Sequence, residues 1–107
     1  MSAGRLVKMH RMSTDHPAIA VHHRPEQHCF EAIVEGQRAV AAYQRHGQIV
    51  QMTHTEVPTR LEGRGIAAAL VLAAFSWIEQ EGLKLDPVCS YVRSYLVRHP
   101  EWQRLVA

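Results

Sequence analysis

The feature that most constrains this chain is a pair of glycines, Gly63 and Gly65, between a strand-like segment and an apolar run. The segment before them, 48–57, is rich in Ile, Val and Thr, which is typical of a β-strand, and Pro58 ends it. The run after them, 66–80, is dominated by alanine and leucine, which favours a helix. So short a passage from strand to helix leaves the first helical amides without acceptors, at the positive end of the helix dipole. The pattern therefore predicts a site for phosphate or diphosphate.

Two familiar glycine motifs are excluded at this turn. The dinucleotide fingerprint needs three glycines and an acidic residue about 20 positions later, and a Walker loop needs Gly-Lys-Ser/Thr. Segment 60–67, RLEGRGIA, has neither. The glycines alone leave two interpretations open, an anion site and a plain tight turn.

The composition bounds the kind of protein. A chain of 107 residues that is 47% hydrophobic forms one domain with one core. The net charge of +2 is too small, and the basic residues are too scattered, to indicate a nucleic-acid partner. No apolar stretch reaches the roughly 18 residues of a membrane span, so no membrane partner is expected. We expect residues 1–17 to form a loose tail and residues 18–107 to form a single domain.

Cysteine and histidine usage is typical of a cytoplasmic protein without a bound metal. Cys29 and Cys89 are too few for a disulfide framework, and the polar, basic first residues lack the apolar block of a secretory signal. The eight histidines include no helical His-x-x-x-His pair and no Cys-x-x-Cys partner, so no metal site is expected.

Hydrophobic periodicity predicts an α+β fold. Alternating residues mark three consecutive strands joined by short turns, and an alanine-rich run then marks a helix that Gly82 ends. We expect Ser90 to cap a last helix and Pro100 to end it. The predicted elements, in order, are an edge strand at 19–23, strands at 28–34, 38–44 and 48–57, a helix at 66–80, a strand at 83–88 and a helix at 91–98.

The order of these elements fixes the sheet. Strand 83–88 follows strand 48–57 through a helical crossover, so the two should run parallel with a right-handed connection. The crossover helix is apolar on nearly every side and should be buried against the sheet. The prediction is a mixed sheet of three antiparallel strands, a central helix, a parallel strand and a C-terminal helix. A ligand is expected at the carboxyl ends of the parallel strands, where the glycine turn and Cys89 both fall.

Four short motifs, in this order, resemble one family. Segment 60–67, with its Arg-x-x-Gly-x-Gly spacing followed by Ile-Ala, is similar to the acyl-CoA pyrophosphate loop of the GNAT superfamily of N-acetyltransferases. Segments 54–58 (HTEVP), 87–92 (PVCSYV) and 98–101 (RHPE) narrow the resemblance to the small, single-domain YjdJ-type subgroup. Four motifs at sensible spacing are far more specific than one glycine loop.

The resemblance implies a function and a set of binding residues. It implies acetyl-CoA as cosubstrate, a primary amine as acceptor, and a minimal GNAT-like fold without the helices that cover the acceptor side in larger relatives. It implies that backbone groups along the third strand hold the pantetheine arm, and these belong to Thr55, Glu56 and Val57. It implies that the turn holds the diphosphate, through the backbone of Gly63, Arg64, Gly65, Ile66 and Ala67. Arg60 and Arg64 could add charge, with ordinary solvated arginines in a loop as the alternative.

One position departs from the family pattern. Glu62 stands where many relatives carry a basic residue beside the phosphates. A carboxylate there should repel a diphosphate unless it points to solvent or pairs with Arg60 or Arg64.

Four side chains are candidates for the chemistry of amine acetylation. Cys89 precedes the last helix and is a candidate proton donor to the leaving CoA sulfur or a transient acyl acceptor, with a buried space-filling cysteine as the alternative. His54 and Glu56 share one face of the third strand by alternation, and either could accept the proton of the amine, with a structural strand histidine as the alternative for His54. Tyr95 is favoured over Tyr91 as an acid from the last helix, because such an acid recurs in the superfamily. The alternative is that both tyrosines are core aromatic side chains.

Three functions stay open at this point. The first is an acetyl-CoA-dependent N-acetyltransferase, the second a non-catalytic acyl-CoA-binding module, and the third a small α+β protein that pairs through its sheet edge. The sequence does not identify the acceptor, which could be a small molecule or a protein or peptide amine. It is compatible with a monomer or a weak dimer.

Overall fold

One mixed sheet organises the molecule, and the computed structural model describes it over residues 19–107. The predicted tail, 1–17, lies outside the described residues. The five strands lie side by side in chain order; the first three neighbouring pairs are antiparallel and the last is parallel. The strands are β1 His22–Arg24, β2 Cys29–Val34, β3 Gln37–His46, β4 Ile49–Glu56 and β5 Lys84–Pro87. The predicted mixed α+β sheet is confirmed.

Two helices and three short 3₁₀ turns complete the fold of residues 19–107. Helix α1, Ile66–Gln80, connects the parallel strands and has the predicted bounds. Helix α2, Ser90–Arg98, follows β5 directly. The 3₁₀ turns are Pro25–Gln27, Thr59–Leu61 and Pro100–Leu105. Neither helix, nor any other in 19–107, is long and apolar enough to cross a membrane.

The core lies between one face of the sheet and α1. Alternation on β3 buries Ala39, Ala41 and Tyr43 on that face, as the sequence predicts. The fully buried helix residues are Leu70, Val71, Ala74, Phe75 and Ile78. Burial of so many apolar side chains along α1 fixes the helix, and its first turn, rigidly against the sheet.

Helix α2 and the C-terminal turn pack against the same helix. The Tyr95 ring meets the Phe75 ring edge-on with centroids 5.7 Å apart, and the Trp102 ring lies 5.5 Å from Phe75. Leu105 is buried, and Val106 bridges to Leu85 of β5. The start of α2 is thereby held at a fixed position beside the end of β5.

A β-bulge in β4 changes which residues face the core. Met52 pairs with Tyr43 and His54 pairs with Ala42, so Thr53 is an extra residue with no partner in β3. Its hydroxyl lies 3.4 Å from the Ala42 carbonyl oxygen. An extra residue shifts the alternation of every later residue of the strand.

Beyond the bulge, β4 presents Thr55 to the helix side of the sheet. Thr55 pairs with the buried Ala41 and shares its face. His54 and Glu56 share the opposite face, which neither helix covers, as alternation predicts.

The parallel strands separate at a single carbonyl. Met52 and Pro87 are the last paired residues of β4 and β5. The amides of Val88 and Cys89 both donate to the Met52 carbonyl oxygen, at 3.1 and 2.9 Å. β5 then turns into α2 while β4 continues to Glu56, so this edge of β4 has no partner strand within 19–107.

The end of α1 agrees with the sequence-based prediction, whereas the start of α2 differs from it. Gly82 has a φ of 70°. Its amide bonds to the Glu79 carbonyl, and the Leu83 amide bonds to the Ile78 carbonyl, which is a Schellman ending. Gly82 therefore ends α1 as predicted. The prediction that Ser90 caps α2 is wrong, because Cys89 is the N-cap residue and Ser90 is already helical. The two bonds to Met52 place Cys89 at the turn, and the helix starts one residue earlier than predicted.

His23 holds the short edge strand β1 to the core. Its ring stacks on Phe30 with centroids 4.1 Å apart and meets Trp77 edge-on at 4.6 Å. Its Nε2 lies 2.7 Å from the Tyr43 hydroxyl. Burial lowers the pKa of His23, and the Glu26 carboxylate opposes this in part.

We expect His23 to make the free energy of unfolding decrease as the pH falls. A lowered folded-state pKa means that the unfolded chain binds the proton more readily, so this contribution is complete above the ordinary histidine pKa of about 6.5 and is lost as the pH falls below it. Urea unfolding of wild type and His23→Gln at a series of pH values tests this. The wild type should lose more free energy of unfolding between neutral and mildly acidic pH than His23→Gln does. His46→Gln removes an exposed histidine from the same sheet and serves as the control. Equal losses in wild type and His23→Gln would contradict the assignment.

Candidate active site

The turn before α1 is shaped by two left-handed glycines. Gly63 has a φ of 85° and Gly65, the N-cap residue of α1, a φ of 79°. Residues with a Cβ rarely adopt this conformation. Leu61 is fully buried just before the turn and anchors it to the core. The turn is therefore fixed by its glycines on one side and by packing on the other.

Six consecutive amides, 63–68, have no hydrogen-bond acceptor among the described residues. The Glu62 amide still bonds to Thr59, at 3.2 Å, and the next bonded amide is that of Ala69, which reaches Gly65 at 3.0 Å. No side chain caps the helix at Gly65. The free amides lie at the positive end of the α1 dipole, which is the physical basis of anion binding at a helix start.

A cavity of about 390 Å³ opens at these amides. It lies between the unpaired end of β4, the glycine turn, the first turn of α1 and the start of α2. Its lining residues are Thr55, Val57, Leu61, Glu62, Gly63, Gly65, Ile66, Ala67, Ala68 and Tyr91. Six residues predicted to bind the coenzyme are thus brought together: Thr55, Val57, Gly63, Gly65, Ile66 and Ala67.

A second cavity, of about 330 Å³, lies on the other side of the same turn. It shares Gly63, Gly65 and Ala68 with the first. Its other lining residues are Ile19, Arg64, Ala69, Leu72 and Tyr95. The helix start therefore separates two spaces, and Arg64 belongs to the second.

The two tyrosines of α2 are divided between these cavities. Tyr91 lines the first cavity, whereas Tyr95, favoured from the sequence, lines the second. The Tyr95 ring also packs on His99, with centroids 4.3 Å apart. Burial raises the pKa of Tyr95, and Tyr91 raises it further. Because Tyr91 and Tyr95 are about one helical turn apart, the sequence alone could not tell which of them lines which cavity.

Cys89 sits where the parallel strands separate. Its side chain is buried, and its Sγ lies 3.4 Å from the Thr55 hydroxyl oxygen. Since Thr55 lines the first cavity, this contact places the thiol directly behind the cavity wall.

His54 and Glu56 lie on the open face of the sheet. The His54 Nε2 is 3.4 Å from a Glu56 carboxylate oxygen, and both side chains are exposed. Thr55 lies between them in sequence and points to the other face. The edge of β4 thus has a paired imidazole and carboxylate on one side and the cavity on the other.

The two arginines of the turn are paired with a residue that the sequence did not indicate. Glu35, in the turn between β2 and β3, lies 2.6 Å from an Arg64 nitrogen and 3.4 Å from an Arg60 nitrogen. Arg64 lowers the pKa of Glu35, with a smaller contribution from Arg60. Neither arginine pairs with the exposed Glu62 among the ion pairs of residues 19–107. A contact between positions so far apart in the chain leaves no local sequence signal.

The described part of the chain contains no group of side chains that could hold a metal ion. Within residues 19–107 no three His, Cys, Asp or Glu side chains are grouped as ligands for a metal ion.

Comparison with known proteins agrees with this architecture. The sequence profile of the GCN5-related N-acetyl-transferase family matches residues 29–105, from the start of β2 to the last turn. Protein NATD1 of Mus musculus is 38% identical over 85 residues, which are 77% of each chain. Protein NATD1 of Homo sapiens is 38% identical over 85 residues, 77% of this chain and 75% of the human one. Protein NATD1 of Danio rerio is 32% identical over 90 residues, 81% and 82% of the two chains.

The chain belongs to the GCN5-related N-acetyltransferase family. The superfamily inferred from the four motifs is confirmed, and the YjdJ-type subgroup stays a prediction.

We expect an added methyl group at Gly65 to weaken coenzyme binding specifically. Gly65→Ala should cost about 1 to 2 kcal/mol of stability through its left-handed φ. The methyl would also stand in the cavity wall beside the free amides and keep an anion away from them. Isothermal titration with coenzyme A should show a Kd at least about tenfold weaker, equivalent to about 1.4 kcal/mol.

Gly47→Ala is the matched control. Gly47 also has a positive φ, 64°, and no atom lies within 4 Å of an added Cβ at either glycine. It lies in the turn between β3 and β4 and lines neither cavity described above. Equal losses of coenzyme affinity in the two variants would show that Gly65 acts through stability alone.

Proposed function

We propose that this protein transfers an acetyl group from acetyl-CoA to a primary amine. The observation that carries the proposal is the row of free amides, 63–68, opening onto a cavity that leads to the unpaired edge of β4. Family membership supports the same chemistry. The described cysteines, both free and buried, support a cytoplasmic location.

Two sets of backbone groups would bind different parts of the coenzyme. The amides of Gly63, Arg64, Gly65, Ile66 and Ala67 would take the diphosphate at the helix start. The edge of β4, at Thr55, Glu56 and Val57, would hold the pantetheine arm as an added strand does. Within residues 19–107, that edge continues past Met52 without a strand beside it, which leaves its polar groups available.

Acetyl transfer needs a proton removed from the amine and a proton or another stabilising group for the leaving sulfur. The amine nitrogen forms a bond to the thioester carbonyl carbon, the carbon–sulfur bond breaks, and the amine loses one proton. The imidazole of His54 and the carboxylate of Glu56 would accept this proton on the open face, where an acceptor can approach. A free β4 amide would stabilise the oxyanion.

Cys89 would act on the sulfur side. Its position behind Thr55, at the separation of β4 and β5, supports a thiol that protonates the leaving thiolate or accepts the acetyl group transiently. Tyr91 in the cavity wall is a further candidate donor, and Tyr95 would act from the neighbouring cavity.

One observation favours a non-catalytic acyl-CoA-binding module as the second candidate. Glu62 and Tyr91 are the only ionisable side chains among the lining residues of the first cavity, and the imidazole and carboxylate lie outside it. Release of free CoA thiol from acetyl-CoA, measured with a broad panel of primary amines, separates the two functions. Amine-dependent release supports the transferase. Saturable binding without release with any amine supports the module, and absence of CoA binding contradicts both.

We expect Cys89→Ala to lower turnover without lowering coenzyme affinity. Loss of a proton donor should reduce kcat by roughly a hundredfold or more, and loss of an acyl acceptor should also reduce it. Intact-protein mass spectrometry after mixing with acetyl-CoA alone would show one added acetyl group only if Cys89 accepts it. Cys29→Ala is the control, because Cys29 is also free and buried but faces the other side of the sheet. Unchanged kcat in Cys89→Ala would exclude Cys89 from the reaction.

A further inference from the structure

Glu35 occupies a turn position that its own backbone does not favour. Val34 pairs with Gln37, so β2 and β3 are joined by the two residues Glu35 and Gly36, whose φ angles are 51° and 76°. Two-residue turns with positive φ at both positions favour Asn, Asp or Gly at the first. A glutamate there carries a backbone cost, so an explanation for it has to come from its side chain.

The side chain spans the glycine turn from outside. One carboxylate oxygen lies 2.6 Å from Arg64 and the other lies 3.4 Å from Arg60. These arginines flank the segment that contains Glu62 and Gly63, and Gly65 follows Arg64 directly. The Glu35 carboxylate therefore pairs with both arginines of the turn, and Glu35 lines neither cavity.

The charges of the turn cancel as a result. Arg60 and Arg64 are balanced by Glu35 and Glu62, so the side chains bring no net positive charge to the free amides. A diphosphate arriving at these amides meets arginines that are already paired. Either the amides alone hold the diphosphate, or the arginines exchange their partner when it binds.

We propose that Glu35 is a built-in counter-anion of the coenzyme turn, exchanged for the diphosphate when coenzyme A binds. In the free protein Glu35 holds Arg64 and Arg60, and in the complex the phosphates take its place on Arg64. Glu35 therefore sets the affinity and the salt dependence of the site. The exposure of all three side chains makes this exchange inexpensive, since exposed ion pairs are weak. The inference rests on the proposed function, because it requires coenzyme A to bind at this turn.

Coenzyme A titrations of Glu35→Gln test the exchange. Glutamine keeps the side-chain shape and the strained backbone position but removes the charge, so both arginines are free for phosphate. We expect coenzyme A to bind about two- to fivefold more tightly at low salt, the size of effect that weak exposed ion pairs allow. The gain should shrink as salt is raised, because the new arginine–phosphate attraction is screened.

A double-mutant cycle with Arg64→Gln separates exchange from general charge. In the Arg64→Gln background the gain from Glu35→Gln should become smaller, because the closer arginine is no longer there to be released. Glu81→Gln removes one exposed carboxylate at the other end of α1 and should leave the Kd unchanged. Thermal unfolding checks that each variant is folded.

The outcomes distinguish this inference from the proposed function. Wild type that binds no coenzyme A overturns both. Coenzyme binding that is unchanged or weakened by Glu35→Gln overturns the counter-anion alone and makes Glu35 a tether of the turn. A gain of the same size in the Arg64→Gln background, or in Glu81→Gln, also overturns it, since net charge would then explain the effect.

Discussion

The candidate site depends on backbone amides at the start of α1 that have no hydrogen-bond acceptor in the described chain. Between Glu62 and Ala69 the backbone bends through two left-handed glycines, and the intervening amides have no acceptor within the described chain. Amides left free at a helix start cost stability unless water or a ligand satisfies them. The core holds this arrangement, because Leu61 and Leu70 are fully buried on either side of the turn. An anion-binding geometry is therefore built before any ligand arrives.

The second requirement is the separation of β4 from β5. Both amides that follow β5 bond to the Met52 carbonyl, which ends the pairing and turns the chain into α2. The bulge at Thr53 then turns Thr55 toward the cavity and Cys89, and turns His54 and Glu56 to the open face. One inserted residue thus separates the groups that face the cavity from those on the open face of the sheet. The proposed acyl transfer would use this separation, because the coenzyme and the amine have to approach the same carbon from different directions.

Much of the fold could be predicted from the sequence. Helix α1 has its predicted bounds because alanine-rich composition and Gly82 act locally, and the three hairpin strands follow from alternation and glycine turns. The glycine turn before α1 was predictable for the same reason, since Gly63 and Gly65 are separated by a single residue. The features that the sequence did not indicate depend on contacts between residues far apart in the chain. The bulge at Thr53 arises from register with β3, and Glu35 reaches the turn only because the sheet places β2 opposite it.

The most direct test is to follow each backbone amide by NMR while coenzyme A is added. The account predicts that the amides of 63–68 shift together, in a downfield direction typical of new bonds to phosphate, and become protected from hydrogen exchange. The amides of the turn at Gly47 should stay in place. If coenzyme A left the resonances of 63–68 unmoved while shifting others, the diphosphate would bind elsewhere and these amides would not form its site.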